Sequence, residues 1–236
     1  MDISKYQAFA AKHFGDFKDI NLLVAAFTHR SYLNEHPKTA TEHNERLEFL
    51  GDAVLELVVT EHLYNNYAEP EGILTNWRSA LVRTESISAA GERVGLGDLI
   101  RLSRGEKRGS QRARQQILAN CYEAVIGAVY LAKGYEAASD FIQKSLLPTL
   151  PEILKTGAWM DPKSRLQEMV QSREGLTPIY KVLKEEGPDH DKTFVVGIFI
   201  NEELRGEGEG PSKQAAQVLA AAQALKHYLK AEGHRP

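Results

Sequence analysis

The chain has 236 residues, 42% of them hydrophobic and 26% charged; that is enough for one or two packed domains and excludes a disordered or fibrous protein. A single cysteine, Cys121, excludes an internal disulfide framework and suits a reducing, cytoplasmic setting. The net charge of −3 divides as 18 Lys+Arg against 20 Asp+Glu over residues 1–160 and 11 against 12 over 161–236, so neither part is broadly basic, and any nucleic-acid contact must use local patches.

The opening Met1-Asp2-Ile3-Ser4-Lys5 is not a basic stretch leading into an apolar one, and no apolar run approaches the roughly 18 residues of a membrane span. Neither a leader nor a membrane partner is expected. Apolar residues at helical spacing predict helices near 3–14, 20–34, 44–66, 72–94, 111–133 and 136–147. Strand-like alternation is absent there, so residues 1–155 read as an all-α domain. Pro148, Pro151, Gly157 and Pro162 mark a boundary, with a linker at 156–160. Beyond it the spacing predicts a short helix over 163–173, strands over 179–186, 192–200 and 203–208, a tight turn at Asn201, and a final helix over 212–230 with an Ala/Leu face. Residues 161–232 thus form a second, α+β domain of order α-β-β-β-α.

The chemistry concentrates in Asn44-Glu45-Arg46-Leu47-Glu48-Phe49-Leu50-Gly51-Asp52-Ala53-Val54-Leu55. At about 100° per residue, Glu45, Glu48 and Asp52 share one narrow helix face, while Leu47, Leu50, Val54, Leu57 and Val58 fall on the other side as a core stripe. Like charges at these spacings repel on an isolated helix, and oxygen-only donors suit Mg²⁺ or Mn²⁺ rather than zinc. With Asn44 as N-cap, however, Glu45 and Glu48 occupy the first turn, where acids are favoured in any helix. Asp52 has no such explanation, and Glu56 on the same face reads as a solvated surface residue. A second acidic element lies in Ile117–Ala128, an apolar helix interrupted by Asn120 and Glu123. A carboxylate in such a helix is paired with a base or bound to a metal; spacing does not choose between them.

The segment Asn44–Leu55 resembles the signature of the ribonuclease III family. The likeness extends to Thr28-His29-Arg30-Ser31-Tyr32, to Pro70–Thr75 and to Ile117–Ala128, and residues 161–230 resemble a double-stranded-RNA-binding domain. The resemblance implies that Glu48, Asp52, Asn120 and Glu123 hold a divalent metal, and that Glu45 and Glu71 complete the cleavage centre with Asp52 and Glu123. It implies that Phe49 packs across a homodimer interface. It further implies a Mg²⁺-dependent, cytoplasmic endonuclease of double-stranded RNA, with Mn²⁺ as substitute and no small-molecule cofactor. The products would be a 5′-phosphate and a 3′-hydroxyl, in rRNA and mRNA processing. One position departs from the family's pattern: Asn120 stands where Asp is usual, giving a carbonyl oxygen without charge. A non-catalytic double-stranded-RNA-binding or ribosome-associated protein on the same scaffold is therefore the competing reading.

In the second domain the resemblance points to Gln167, Glu168 and Gln171 for one RNA minor groove and to His190 and Lys192, in the loop after the first strand, for the next. Ser212 and Lys213 open the last helix towards phosphates. Gln214 and Gln217 stand where charged residues are usual, which predicts fewer phosphate contacts. The basic stretch Arg101–Arg114 is expected to form an RNA-contacting loop in the first domain.

Overall fold

The computed structural model describes residues 3–39, 42–188 and 192–232, with side chains to residue 228. It divides into two compact units, Met1–Thr156 and Gly157–Pro236.

The first unit is helical: α1 (Ser4–Phe14), α2 (Ile20–Ala26), α3 (Arg30–Glu35), α4 (Glu45–Asn66), α5 (Glu71–Val82), α6 (Thr84–Arg93), α7 (Gln111–Lys133), α8 (Tyr135–Ser145) and α9 (Leu150–Thr156). Its centre is the pair of long helices α4 and α7. Leu47, Val54, Leu55, Val58 and Val59 of α4 are buried, as are Cys121, Tyr122, Val125, Ile126 and Val129 of α7. The helices approach to backbone contact because glycine occupies the crossing on both sides. A β-carbon on Gly127 would lie 2.2 Å from the Leu47 carbonyl oxygen, and one on Gly51 would overlap the Glu123 carbonyl. The Tyr122 hydroxyl, paired with Ser145 Oγ at 2.6 Å, ties α7 to α8.

Several expectations are corrected. The helix expected over 20–34 breaks at Phe27–His29, where Thr28 makes a parallel bridge with Arg101. The Arg101 amide donates to the Phe27 carbonyl (2.7 Å) and the His29 amide to the Arg101 carbonyl (3.1 Å). The Arg101 side chain is buried, lies over the Tyr32 ring at 4.1 Å and donates to Thr28 Oγ1. Arg101 is thus a structural brace rather than part of an RNA-contacting loop. The helix expected over 72–94 is two, separated by the extended backbone of Arg83. The proline-rich boundary after 147 carries a 3₁₀ turn and α9, since Pro148 and Pro151 sit in first turns, where a missing N–H costs nothing. Leu57, expected in the core stripe, is 57% exposed. It lies at the stripe's margin and joins Phe49 (83% exposed) and Tyr64 (77%) in an apolar strip along α4.

The second unit has the order α10 (Pro162–Glu174), β1 (Ile179–Glu186), β2 (Thr193–Ile200), β3 (Glu203–Gly210) and α11 (Lys213–Glu232). The three strands form one antiparallel sheet in the order β1-β2-β3. Asp161 caps α10 by accepting from the amides of Lys163 and Ser164, both at 3.1 Å. Asn201 and Glu202 take left-handed backbone angles (φ 50° and 67°) in the tight β2–β3 turn. Gly206, Gly208 and Gly210 alternate along β3 and let α11 lie against the strand; a β-carbon on Gly208 would sit 2.2 Å from the Ala220 nitrogen. Leu166, Val170, Ile198, Ile200, Ala220 and Ala224 form the core. Among the described residues no helix is long and apolar enough to cross a membrane.

Candidate active site

The Gly51–Gly127 crossing brings the acidic face of α4 against the polar break in α7. Glu48 and Asp52 flank Gly51, and Glu123 lies one turn before Gly127. Glu123 feels all of this: burial, then the carboxylates of Asp52 and Glu48, push its carboxyl up to about 8. Glu48 is also raised, by burial first and then by Glu45 and Asp52, while hydrogen bonding from Asn120 acts in the opposite sense. Glu48, Asp52, Asn120 and Glu123 are therefore one electrostatic unit on two helices, a proximity that sequence spacing alone left open.

Among the described residues no three His, Cys, Asp or Glu side chains are already gathered closely enough to hold a metal ion, so Glu48, Asp52 and Glu123 would have to draw together around one. The donor set is oxygen-only and carries excess negative charge, the chemistry of a hard divalent cation. A bound cation would offset both the burial and the repulsion from Asp52 and Glu48 that raise Glu123.

The remaining expected residues are distributed around this unit. Glu45 is exposed, 3.8 Å from the Arg30 guanidinium and 3.7 Å from the His43 ring. Asn44 stands at the N-cap of α4, but its side chain makes no capping bond. It is buried, and its backbone links Thr28 to Glu48. Glu71 opens α5 and lines a different space, a cavity of about 460 Å³ shared with Thr60, Tyr64, Leu74 and Arg78. Glu56 pairs with Arg78 at 3.0 Å.

In the second unit Gln167, Glu168 and Gln171 lie exposed on α10. Ser212 Oγ accepts from the Ala215 amide at 3.1 Å and so caps α11. Lys213 lies over the Phe194 ring at 5.5 Å. Lys192 and Lys213 both meet Glu185, at 3.1 and 3.9 Å. His190 lies outside the described residues. Lys163 donates to Gln217 at 2.7 Å, so the glutamine in the usual charged position still orients a lysine.

Sequence reasoning missed four contributors. Gly51 and Gly127 were legible only as a gap in the apolar pattern. Gln116 donates to Asn120 Oδ1 at 2.7 Å; its i, i+4 spacing from Asn120 was the available signal. Glu185 gave no sign of its role because its partners lie on other elements.

A chain that joins facing carboxylates on crossed helices to an α-β-β-β-α module has the parts of a nuclease that carries its own RNA-binding unit. Comparison with known proteins makes this specific. The family model for Ribonuclease-III-like domains matches residues 19–150, and the double-stranded RNA binding motif matches residues 162–228. Ribonuclease 3 of Enterococcus faecalis is 44% identical over 214 residues, covering 89% of this chain and 91% of that protein. Ribonuclease 3 of Anoxybacillus flavithermus is 45% identical over 214 residues, covering 89% and 88%. Among solved structures, the nuclease domain of ribonuclease III from Campylobacter jejuni matches with a TM-score of 0.54 and 37% identity, over 61% of this chain and 96% of that one. The chain belongs to the ribonuclease III family. It is an endoribonuclease of double-stranded RNA, and membership carries dependence on a divalent metal.

Proposed function

We propose that this enzyme hydrolyses double-stranded RNA with Mg²⁺ as its working cation and Mn²⁺ as a substitute, leaving a 5′-phosphate and a 3′-hydroxyl. Glu48, Asp52 and Glu123 would hold the cation with their carboxylates, and Asn120 with its side-chain amide. When bound, the cation supplies Lewis acidity, activating water and neutralising charge on the phosphate. Holding it would need Glu123 in its ionised form, and Glu45 would extend the acidic surround on the side of the RNA; Glu71, which lines a separate cavity of the same chain, is proposed only as an outer part of that surround. Gln167, Glu168, Gln171, His190, Lys192, Ser212 and Lys213 hold the duplex.

Two copies associate through the exposed strip at Phe49, so that each acidic cluster cuts one strand. The Campylobacter jejuni structure is described as having a region involved in dimer formation, which supports the same arrangement here. The physiological setting is rRNA and mRNA processing in the cytoplasm.

The observation that carries the reading is the facing of Glu48 and Asp52 against Glu123 across paired glycines, where burial and then the Asp52 and Glu48 carboxylates push Glu123 up to about 8. The test is cleavage of a perfect RNA duplex with Mg²⁺ and with EDTA, alongside Glu123→Gln. Cleavage should require the cation and vanish in the variant, while duplex binding persists. Binding and cleavage lost in proportion would refute the role of Glu123, and no cleavage at any Mg²⁺ concentration would favour a protein that only binds RNA.

A further inference from the structure

The sheet of the second unit has one side that its own helices leave uncovered. Val196, Ile198 and Ile200 of β2 are buried towards α10 and α11, so Val195, Gly197 and Phe199 face the other way. Strand register sets three rows across that outer side: Ile179–Phe199–Leu204, Lys181–Gly197–Glu207 and Lys184–Val195–Glu209. The first row is apolar, and its ends are open, with Ile179 57% and Leu204 47% exposed. Leu183, at the bulge in β1, joins it. A β-carbon on Gly197 would lie 2.8 Å from Leu204 Cδ1 and 2.9 Å from Leu183 Cδ1, so both leucines lean over the glycine. Lys181 Nζ lies over the Phe199 ring at 4.8 Å, on the same side.

Charge on this side is polarised. Lys181 and Lys184 stand on β1, Glu207 and Glu209 on β3, and the β2 residues between them are uncharged. Lys184 already pairs with Glu186 at 2.6 Å, whereas Lys181 and Glu207 have no salt bridge among the described residues. A face that is positive along one edge and negative along the other matches a copy of itself turned about a two-fold axis parallel to β2. That rotation keeps each row at its own height and sets β1 over β3. Ile179 then meets Leu204 of the second copy, Lys181 meets Glu207, and Phe199 meets its own counterpart near the axis. A two-fold axis across the strands would instead set β1 over β1 and lysine against lysine, which is unfavourable.

We infer that the outer side of this sheet is an interaction surface for a second copy of the same unit, the two sheets stacking face to face with Lys181 of each opposite Glu207 of the other. The inference rests on the homodimer of the proposed function. Three strands about 4.8 Å apart offer roughly a few hundred Å² per partner over these rows, short of the ~800 Å² of a stable complex. The contact therefore does not hold two free chains together. Within a dimer the second copy is tethered at an effective concentration on the order of millimolar, where a weak contact is populated. Because α10 and α11 pack on the opposite side of the sheet, the pairing leaves the residues assigned to RNA uncovered.

Two full-length copies with different affinity tags, one Lys181→Glu and the other Glu207→Lys, are co-expressed, and mixed dimers are isolated through both tags. One copy then has carboxylates at positions 181 and 207 and the other has amines at both. A carbodiimide bond between position 181 and position 207 can form only between copies. Mass spectrometry of the digest should find such bonds at least about fivefold above 181–181 and 207–207 bonds together. Leu204→Asp in both copies should cut their yield several-fold while duplex RNA binding persists, which reports that the unit is still folded. Bonds mainly of the 181–181 and 207–207 kind would overturn the pairing of β1 with β3. Mixed dimers with no bond at either position would overturn the sheet contact and leave the dimer standing. If no mixed dimer can be isolated, the dimer itself fails, and the inference falls with it.

Discussion

A β-carbon on Gly51 would fall 1.8 Å from the carbonyl oxygen of Glu123. The obstacle is backbone, with no flexible side chain to move aside. Gly51→Ala should therefore force α4 and α7 apart. Overpacking costs about 1–3 kcal/mol or more, and the displacement separates Glu48 and Asp52 from Glu123. The expected outcome is a Tm several degrees lower and weaker Mn²⁺ binding in the folded fraction. Gly72→Ala is the control, since its β-carbon would meet open space and helix propensity favours alanine. If Gly51→Ala melts like wild type, the crossing is looser than described.

The carboxyl of Glu123 makes both stability and metal binding depend on pH. Its folded value of about 8 stands above the ordinary 4.5 because of burial and then Asp52 and Glu48. The folded protein holds this proton more tightly than the unfolded chain does. Its contribution to stability is fully present below about pH 4.5 and is lost as pH rises through about 8. EDTA-treated protein should lose Tm over that window, and Glu123→Gln should flatten the loss. A cation competes with the same proton, so Mn²⁺ affinity should rise with pH up to about 8 and then level. Calorimetry in buffers of different ionisation enthalpy should detect proton release on binding near pH 7; none would mean Glu123 is already ionised.

Much of this was legible in the sequence, for identifiable reasons. The helices at 44–66 and 111–133 carry long apolar stripes, and the Asn44–Leu55 motif carried the acidic face whole. The strand Phe194–Ile200 was plain because β-branched and aromatic residues run unbroken. What was not legible depends on contacts between distant segments. Arg101 reads as one more basic residue in a basic stretch, yet it is buried by Thr28 and Tyr32, more than 65 positions away. Leu57 fits the core stripe by angle, but the described residues leave it 57% exposed.

Glu185 holds Lys192 and Lys213 at 3.1 and 3.9 Å, so it competes with RNA phosphates for the two cations expected to bind them. Exposed pairs of this kind are worth at most about 1 kcal/mol. Glu185→Gln should tighten duplex binding by roughly twofold to fivefold at low salt, with little sequence dependence. Lys213→Ala should weaken it and reduce the slope of log affinity against log salt by about 1. Fluorescence anisotropy with labelled duplex RNA over a salt series measures both. An unchanged slope in Lys213→Ala would mean that Lys213 does not reach a phosphate.

Phe49 is 83% exposed although it sits between two buried positions, Leu47 and Gly51, on the central helix. With Leu57 and Tyr64 it forms an apolar strip that the described residues of its own unit leave uncovered, the kind of surface that marks an interaction site. A side chain so exposed contributes little to the stability of a lone protomer, and its effects should therefore appear in association. Phe49→Asp places a charge where two copies would meet and leaves the fold of each untouched. Sedimentation velocity should show wild type as a dimer and Phe49→Asp shifted towards monomer, with unchanged far-ultraviolet circular dichroism. Cleavage should fall with the dimer fraction and recover partly at high protein concentration. Binding of Mn²⁺ to each protomer should stay near the wild-type level, because Glu48, Asp52, Asn120 and Glu123 all lie within one chain. A Phe49→Asp protein that remains dimeric would move the interface elsewhere on the molecule; a monomer that has lost Mn²⁺ binding would mean that the metal site draws on the second copy.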